Sequence, residues 1–533
     1  MKLFSEIKVK IDYTEDDIYQ AIRKKYNVFK EEIEQYEIVK ESIDCRKKPD
    51  IFKSLNLAVS VKKSAQKKVY KLNDVVVDHS GVEYQKHNFN GERPVVIGFG
   101  PSGIFAGLAL ALAGFKPIIL EQGKQVDERQ KDVDEFWTNR KLNKFSNIQF
   151  GEGGAGTFSD GKLASNVSNS YTKKVINEFI LNGAPSEIFY SNTPHIGSDK
   201  LKSVVTNIRN KIEENGGEVI FNAHFDSYKE KDNKIESVIY TNTITGEQKT
   251  IKTSAIVLAV GHSAVDVYKL LKENNISMKQ KPFAMGVRIE QSQDDINYSQ
   301  YGKIDKSLPA ANYKLAEHLE NGRTVFTFCM CPGGKVVASS SEEGTIVSNG
   351  MSYYARDGKN ANSAVLVNVT PNDYESEDVL AGVNFQHKYE KLAFELGGRN
   401  YNAPAETVKD FLAGEENPKN NSTKISATYS PNITIADLKK CLPDFVYESL
   451  KIGLVKMNKK IKGFADDENL LIGVESRSSA PVQIVRDENF MTNLSGLFAC
   501  GEGSGYAGGI TTSAQDGIKC AEKVMDYLIN NKK

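Results

Sequence analysis

PVVIGFGPSGIFAGLALALAG, residues 94–114, decides how the rest of this chain is read. It opens with a short apolar, β-branched run, Val95, Val96 and Ile97, passes through Gly98-Phe99-Gly100-Pro101-Ser102-Gly103, and continues as an apolar helical stretch. That is strand, tight turn, helix. Gly98 permits the turn, Gly100 lets a pyrophosphate approach the backbone, and Gly103 lets the helix pack close to the strand. The free N–H groups and positive dipole end of the helix face the phosphates. Such a glycine pattern alone also occurs as a packing motif without a ligand, so the next strand has to decide. The run Pro117-Ile118-Ile119-Leu120 ends in Glu121, 23 residues after Gly98, where an acid accepts hydrogen bonds from ribose hydroxyls and repels a 2′-phosphate. The stretch therefore reads as a dinucleotide site.

Residues 95–115 run 21 residues without a charge, long enough to span a membrane. Six glycine or proline positions inside the run speak for a buried strand and helix instead, so no membrane association is expected. At 533 residues the chain is too long for one core, and two or three domains are expected. Lys plus Arg (69) balances Asp plus Glu (69), which argues against a dedicated nucleic-acid or membrane-surface binder. Six scattered cysteines form no disulfide framework, and MKLFSEIKVK has no apolar core for a signal peptide. A cytoplasmic protein is expected.

Residues 1–90 read as a small α+β domain, with a ferredoxin-like arrangement as one option. Its signals are an amphipathic strand over residues 7–11, a helical pattern over residues 15–29, and apolar runs at residues 57–61 and 75–77. Between Arg46 and Lys71 nine basic residues face one acid, Asp50, which is either a solvated face or a docking surface for RNA or an acidic partner. A polar linker over residues 79–93 leads into the main domain. Alternating strand and helix patterns over residues 91–281 and again over 432–533 suit a parallel sheet, and the short strands and turn residues of 282–431 suit an inserted substrate or cap domain. The expected class is α/β: a Rossmann-like nucleotide-binding domain with an inserted α+β domain and a small N-terminal α+β domain.

Several stretches together carry a resemblance. They are VIGFGPSGIFAGLALALAG with EQGKQVDER (residues 121–129), FGEGGAGTFSDGKL (150–163), AIVLAVGHSAVDVY (255–268), KPFAMGVRIE (281–290), CMCPGGKVVASSSEEG (329–344), NGMSYYARDGKNANSA (349–364) and GLFACGEGSGYAGGITTSAQDGI (496–518). They resemble proteins with glutathione-reductase-like FAD domains, most closely the uncharacterised bacterial FAD-dependent dehydrogenases within the NAD(P)/FAD-dependent oxidoreductases. The resemblance implies non-covalent FAD. It implies cofactor contacts from Gly98, Phe99, Gly100, Pro101, Ser102 and Gly103, from Glu121, Gln122, Gly123 and Arg129, and from Gly154, Gly156, Thr157, Ser159 and Lys162. It further implies that Phe225 and Gly261 border the nucleotide, and that Gly501, Glu502, Gly508, Gly509, Ile510 and Thr511 close the flavin site from the far end of the chain. Glu502 stands where the wider superfamily often has Asp, and Val265 where close relatives tend to have Arg. A helix starting at Ile510 would aim its positive end at the reduced flavin.

No second strand-glycine-helix unit with a following acid is present, so NADH or NADPH is expected, if at all, as a transient donor. Cys329 and Cys331 on one strand face share a side. They read as structural thiols or as a redox pair; two thiols alone make a weak metal site, and no metal is expected. His262, Arg288, Tyr354 and Arg477 are the candidate catalytic residues, with His195 and Arg356 as further polar groups that can orient a carboxylate or carbonyl. Two functions remain open. One is an FAD-dependent oxidoreductase passing hydride between a reduced donor and an unsaturated or carbonyl small molecule; the other is a flavin-bearing module that docks on RNA or protein through its basic N-terminal domain.

Overall fold

The computed structural model describes residues 1–163, 169–418 and 423–531. The first body is an antiparallel sheet in which Asp50–Val61 lies between Lys2–Val9 and Ile33–Lys47. Helix Glu15–Tyr26 packs on it, opened by a capping box between Thr14 and Asp17 and closed by Asn27 in the left-handed region. Ile18 and Ile22 of the helix meet Phe4, Ile7, Leu55 and Leu57 of the sheet in one core. The sheet has three strands, so the ferredoxin-like option is not met. The apolar run at residues 75–77 forms no strand: Asp74 before it bridges to Lys2, the Val75 N–H donates to the Met1 carbonyl at 2.9 Å, and Val76 is 80% exposed. Just beyond, Asn177 donates to the carbonyls of Asp78 and Ser80, which draws the chain to the next body and away from a strand edge.

The basic stretch is partly neutralised: Arg46 pairs with Asp44, Lys53 with Glu41 and Lys68 with Glu32. Its hairpin also has a structural duty. Ile51 is buried in the core that contains Phe136 and Tyr301, and Lys48 Nζ donates to the Ser299 carbonyl. On the other side the Glu41 N–H donates to the Tyr190 carbonyl at 2.7 Å.

The second body is a parallel sheet ordered Leu497–Ala499, Ile256–Leu258, Val95–Ile97, Ile118–Leu120, Glu218–Ile220. Alternate residues of each strand enter different cores. Val96, Ile119, Val257 and Phe498 pack under the helices Pro101–Leu112, Ser198–Glu214 and Ile510–Asn530. Val95, Ile97, Ile118, Leu120, Ile256 and Leu258 pack under the antiparallel meander Ala223–Lys231, Lys234–Asn242, Gln248–Lys252 and under helix Val265–Glu273. Coverage on both faces is why the other four strands are apolar throughout, whereas the edge strand Glu218–Ile220 starts with an exposed glutamate. The charge-free residues 95–115 lie in this sandwich, and no described helix is long and apolar enough to cross a membrane.

The third body is a seven-stranded sheet ordered Ala316–His318, Thr324–Cys331, Asn360–Val369, Phe283–Ser292, Leu470–Glu475, Ala403–Thr407, Ile433–Ile435. Helices Ala381–Leu396 and Asp444–Lys460 pack against it. Here the expected boundary moves. Leu470–Glu475 pairs antiparallel with Phe283–Ser292, so the chain returns to the parallel sheet only after about residue 478, not at 432. Its run LLIGVE is fully buried and would suit either sheet, which is why its pattern alone did not assign it.

The docked hairpin gives a direct test. Replacing Ile51 by Ala empties a buried site shared between bodies and is expected to cost about 2 to 5 kcal/mol, read as a lowered urea midpoint. A surface role for the hairpin would leave the midpoint unchanged.

Candidate functional site

The turn after Val95–Ile97 is made by contact. Gly98 has φ +98°, and a Cβ there would lie 2.5 Å from the Ala259 carbonyl oxygen. A Cβ on Gly103 would overlap the Gly98 carbonyl oxygen, so helix and strand approach as closely as backbones allow. The helix has Gly100 as its N-cap without a side-chain cap and Pro101 in its first turn, leaving its N-terminus open. Opposite it, a Cβ on Gly154 would lie 2.8 Å from Gly100 Cα. These two loops form a cradle without side chains.

Glu121 holds the cradle. Its buried carboxylate accepts from the N–H of Phe99, Gly123 and Gly151, each at 2.9 Å. A carboxylate offers about four acceptor sites, so one position stays open toward the cavity that Glu121 lines. Arg129, expected to touch the cofactor, lies behind the wall instead. Fully buried, it donates to the carbonyls of Asn147, Ile148 and Glu152 at 2.6–2.7 Å and lies over the Phe158 ring. Three carbonyls pointing inward from one loop attract a buried guanidinium.

The cradle opens into a cavity of about 410 Å³ between the parallel sheet and the third body. Of the residues expected at the cofactor, Gly98 to Ser102, Glu121, Gly154, Gly156, Ser159, Lys162, Gly261, Glu502 and Gly508 to Thr511 line it. Gly103, Gln122, Gly123, Thr157 and Gly501 are not in the lining; Gly103 and Gly501 pack beneath it against Gly98 and Ser102. Phe225 is corrected outright. The parallel strand ends at Ile220, Asn222 turns the chain with φ +55°, and Phe225 enters the core below the sheet. At the far end, helix Ile510–Asn530 begins behind Gly509 (φ +110°), with Thr511 donating to the Leu163 carbonyl.

The candidate catalytic residues separate sharply. Arg288 is fully buried and bidentate to Glu475 at 2.6 and 2.8 Å, with Asn362 at 2.7 Å; it is not in the lining. Arg477 does line the cavity, but its guanidinium is taken up by Glu390, Glu342 and Ser341. Neither arginine is free to clamp a substrate. Tyr354 lies outside, its ring stacked on His195 and under Lys200 Nζ. Arg356 is bidentate to Asp160. His262 is different: it lines the cavity, its Nε2 is buried without a partner, and its Nδ1 lies 3.8 Å from Glu502 Oε1.

The cysteine pair is also rearranged. A bulge between Phe328 and Cys331 places Cys329 at φ +44°, so the two thiols no longer share a strand face. Cys329 opens into the cavity, while Cys331 is buried and its thiol points to the Cys329 carbonyl. Enclosure pushes the Cys329 thiol up to about 12, which speaks against a reactive thiolate. Pattern reading missed Lys314, Phe328, Asn349 and Gln149 in the lining altogether. Asn349 opens one of the stretches that carry the resemblance; Lys314, Phe328 and Gln149 lie in none of them.

Comparison with known proteins adds to this geometry. A model of the FAD-dependent protein, C-terminal domain-like family matches residues 282–478, and a domain of unknown function matches residues 1–60. An uncharacterised protein of Clostridium beijerinckii is 44% identical over 531 residues, 98% of each chain. The chain belongs to the FAD-dependent protein family. Among solved structures, the FAD-complexed glycerol-3-phosphate dehydrogenase of Bacillus halodurans is 12% identical with a TM-score of 0.38, over 83% of this chain and 65% of that one. A variant of E. coli quinol fumarate reductase is 11% identical with a TM-score of 0.36, over 83% and 71%. The family match ends at residue 478, three residues past Glu475, where the last strand of the seven-stranded sheet ends.

In this FAD-dependent protein two titrating groups sit at the cavity. Burial, with the Arg477 charge behind it, lowers His262 to about 4, so it is neutral near pH 7. Burial raises Glu502 from 4.5 to about 7. The folded state therefore keeps a proton on Glu502 that the unfolded chain releases. The associated stability is present below about 4.5 and is lost as pH rises through about 7, by at most about 3 kcal/mol. Glu502→Gln is expected to shrink the fall in melting temperature between pH 5 and pH 8; an unchanged profile would place Glu502 in contact with water. Separately, Arg129→Ala leaves three carbonyls unpaired, each costing about 1 to 3 kcal/mol. It is expected to weaken FAD retention on gel filtration although Arg129 touches nothing in the cavity.

Proposed function

We propose that this chain holds FAD non-covalently in the cavity and uses it in a two-electron oxidation or reduction of a small unsaturated or carbonyl-bearing molecule. The observation that carries this reading is the glycine cradle: a Cβ at Gly98 or Gly154 would meet backbone, and the open helix N-terminus behind Gly100 faces the same space. Such a surface suits a pyrophosphate, which needs donors and close approach but no side chains. Glu121 has one acceptor position left for a ribose hydroxyl. At the other end, the N-terminus of helix Ile510–Asn530 offers N–H groups and a positive end where negative charge would develop on the ring. When bound, the flavin supplies hydride transfer.

The protein's own part is to position the ring, exclude water and manage one proton. His262 offers a neutral imidazole with an open nitrogen, and Glu502 a carboxyl poised near neutrality. Both suit proton delivery to a substrate reduced above the ring. Among the described residues no second glycine-rich nucleotide turn follows a strand, which favours a donor that visits the ring transiently, NADH or NADPH.

The test is direct. The purified protein is expected to be yellow, or to turn yellow on adding FAD, and anaerobic NADH or NADPH is expected to bleach the flavin band. A yellow protein that neither nucleotide bleaches would point to a protein donor. A colourless protein that fails to take up FAD would end the reading.

A further inference from the structure

The third-body end of the cavity carries a lysine that the cofactor reading does not use, Lys314, together with Lys162, which the resemblance gave to the cofactor. Lys314 and Lys162 both line this end. Lys314 lies beside Phe328, because Thr327 N–H donates to the Leu315 carbonyl at 2.9 Å and Leu315 N–H to Thr327 Oγ1 at 2.8 Å. Phe328 is 38% exposed and forms an apolar wall there, next to Cys329. Lys162 shares the lining with Cys329 and Cys331, near enough for its charge to favour their thiolates.

The counter-charges at this end are committed elsewhere. Asp160 is bidentate to Arg356 and reaches Lys162 only at 3.8 Å, and Glu475 is bidentate to Arg288. Lys314 has no acidic partner among the described residues. The cysteines are held neutral by enclosure. Glu502, the remaining carboxyl at this level of the lining, sits beside His262 and keeps its proton to about pH 7. Two ammonium groups beside an aromatic wall, Lys314 without an acidic partner among the described residues and Lys162 sharing at 3.8 Å an Asp160 already bidentate to Arg356, form a receptor for an anion that carries an apolar body.

We propose that the substrate of this site is a small organic carboxylate, its charge held by Lys314 and Lys162 and its unsaturated or aromatic body laid on Phe328. This rests on the FAD reading for its chemistry but not for its binding. The two arginines that would ordinarily clamp a carboxylate are spent on Glu475 and Glu390, which leaves recognition to the lysines as point charges.

The experiment is a titration of the full-length, FAD-treated protein with benzoate and with fumarate. Benzamide and fumaramide serve as neutral controls, and inorganic phosphate and NADPH as alternative anions. It is read both as a difference spectrum of the flavin band and as a shift in melting temperature, which needs no colour. The acids are expected to give saturable responses that the amides do not. Lys314→Gln, which breaks no contact, is expected to raise the apparent Kd about tenfold or more, the weight of one charge-assisted contact, and Lys314→Arg to restore most of it. Equal affinity in wild type and Lys314→Gln would overturn the proposal. So would no response to either acid in yellow protein, or Lys314-dependent binding of phosphate and NADPH in preference to both acids. A colourless protein whose melting temperature still rises with benzoate in a Lys314-dependent way would keep the anion site and sink the FAD reading instead.

Discussion

The buried carboxylate of Glu121 is the contact on which the site depends. It accepts from three backbone N–H groups that belong to three separate loops, those of Phe99, Gly123 and Gly151. The loops are rich in glycine, so a single anion at their junction gathers them, helped by Glu152, whose carboxylate accepts from the Val126 N–H at 2.8 Å. Arg129 does the same from the other side for the carbonyls of residues 147, 148 and 152. An anion gathers donors, a cation gathers acceptors, and the space between the loops is left clear for a ligand that approaches backbone.

Burial explains how the charged residues are divided between structure and chemistry. A guanidinium removed from water needs its charge and its N–H groups answered; in Arg288 and Arg477 carboxylates answer the charge, and Asn362 and Ser341 take up N–H groups the carboxylates leave. Such residues shape the wall but have nothing left to offer a ligand. His262 escapes the same fate because imidazole can be buried neutral, so its open nitrogen is tolerated without a counter-ion. Lys314 escapes it by facing the open end of the cavity, where its charge stays accessible to solvent and to an incoming anion.

The three bodies also constrain one another. The hairpin of the first reaches into the core of the third through Ile51, while its neighbouring strand is tied at Glu41 to the loop before helix Ser198–Glu214 in the second. The cavity lies between the second and third bodies, so the first braces the pair that encloses it. Part of the basic stretch is thereby accounted for, since Lys48 and Lys53 serve packing and ion pairing within the chain.

The sequence by itself determined the nucleotide cradle, because its physics is local: a glycine turn, an apolar strand and an acid at the end of the next strand lie within 24 residues and announce one geometry. The parallel sheet was legible for the same reason, since strands covered on both faces read as unbroken apolar runs. What only the tertiary structure decided is which polar side chains remain free. Arg288, Arg477 and Arg129 look like ligand-binding residues until partners 18 to 187 positions away are seen to consume them, and Tyr354 and Phe225 look close until the chain turns them aside. Lys314 and Phe328 carry no motif and enter the site only because strand pairing brings them to the cavity. The end of the third body was hidden for a related reason: LLIGVE is apolar enough for any sheet, and only its pairing with Phe283–Ser292 says which one it joins. Turns and single strands are set by neighbouring residues, whereas the free charge of a buried site is what remains after distant partners have been matched.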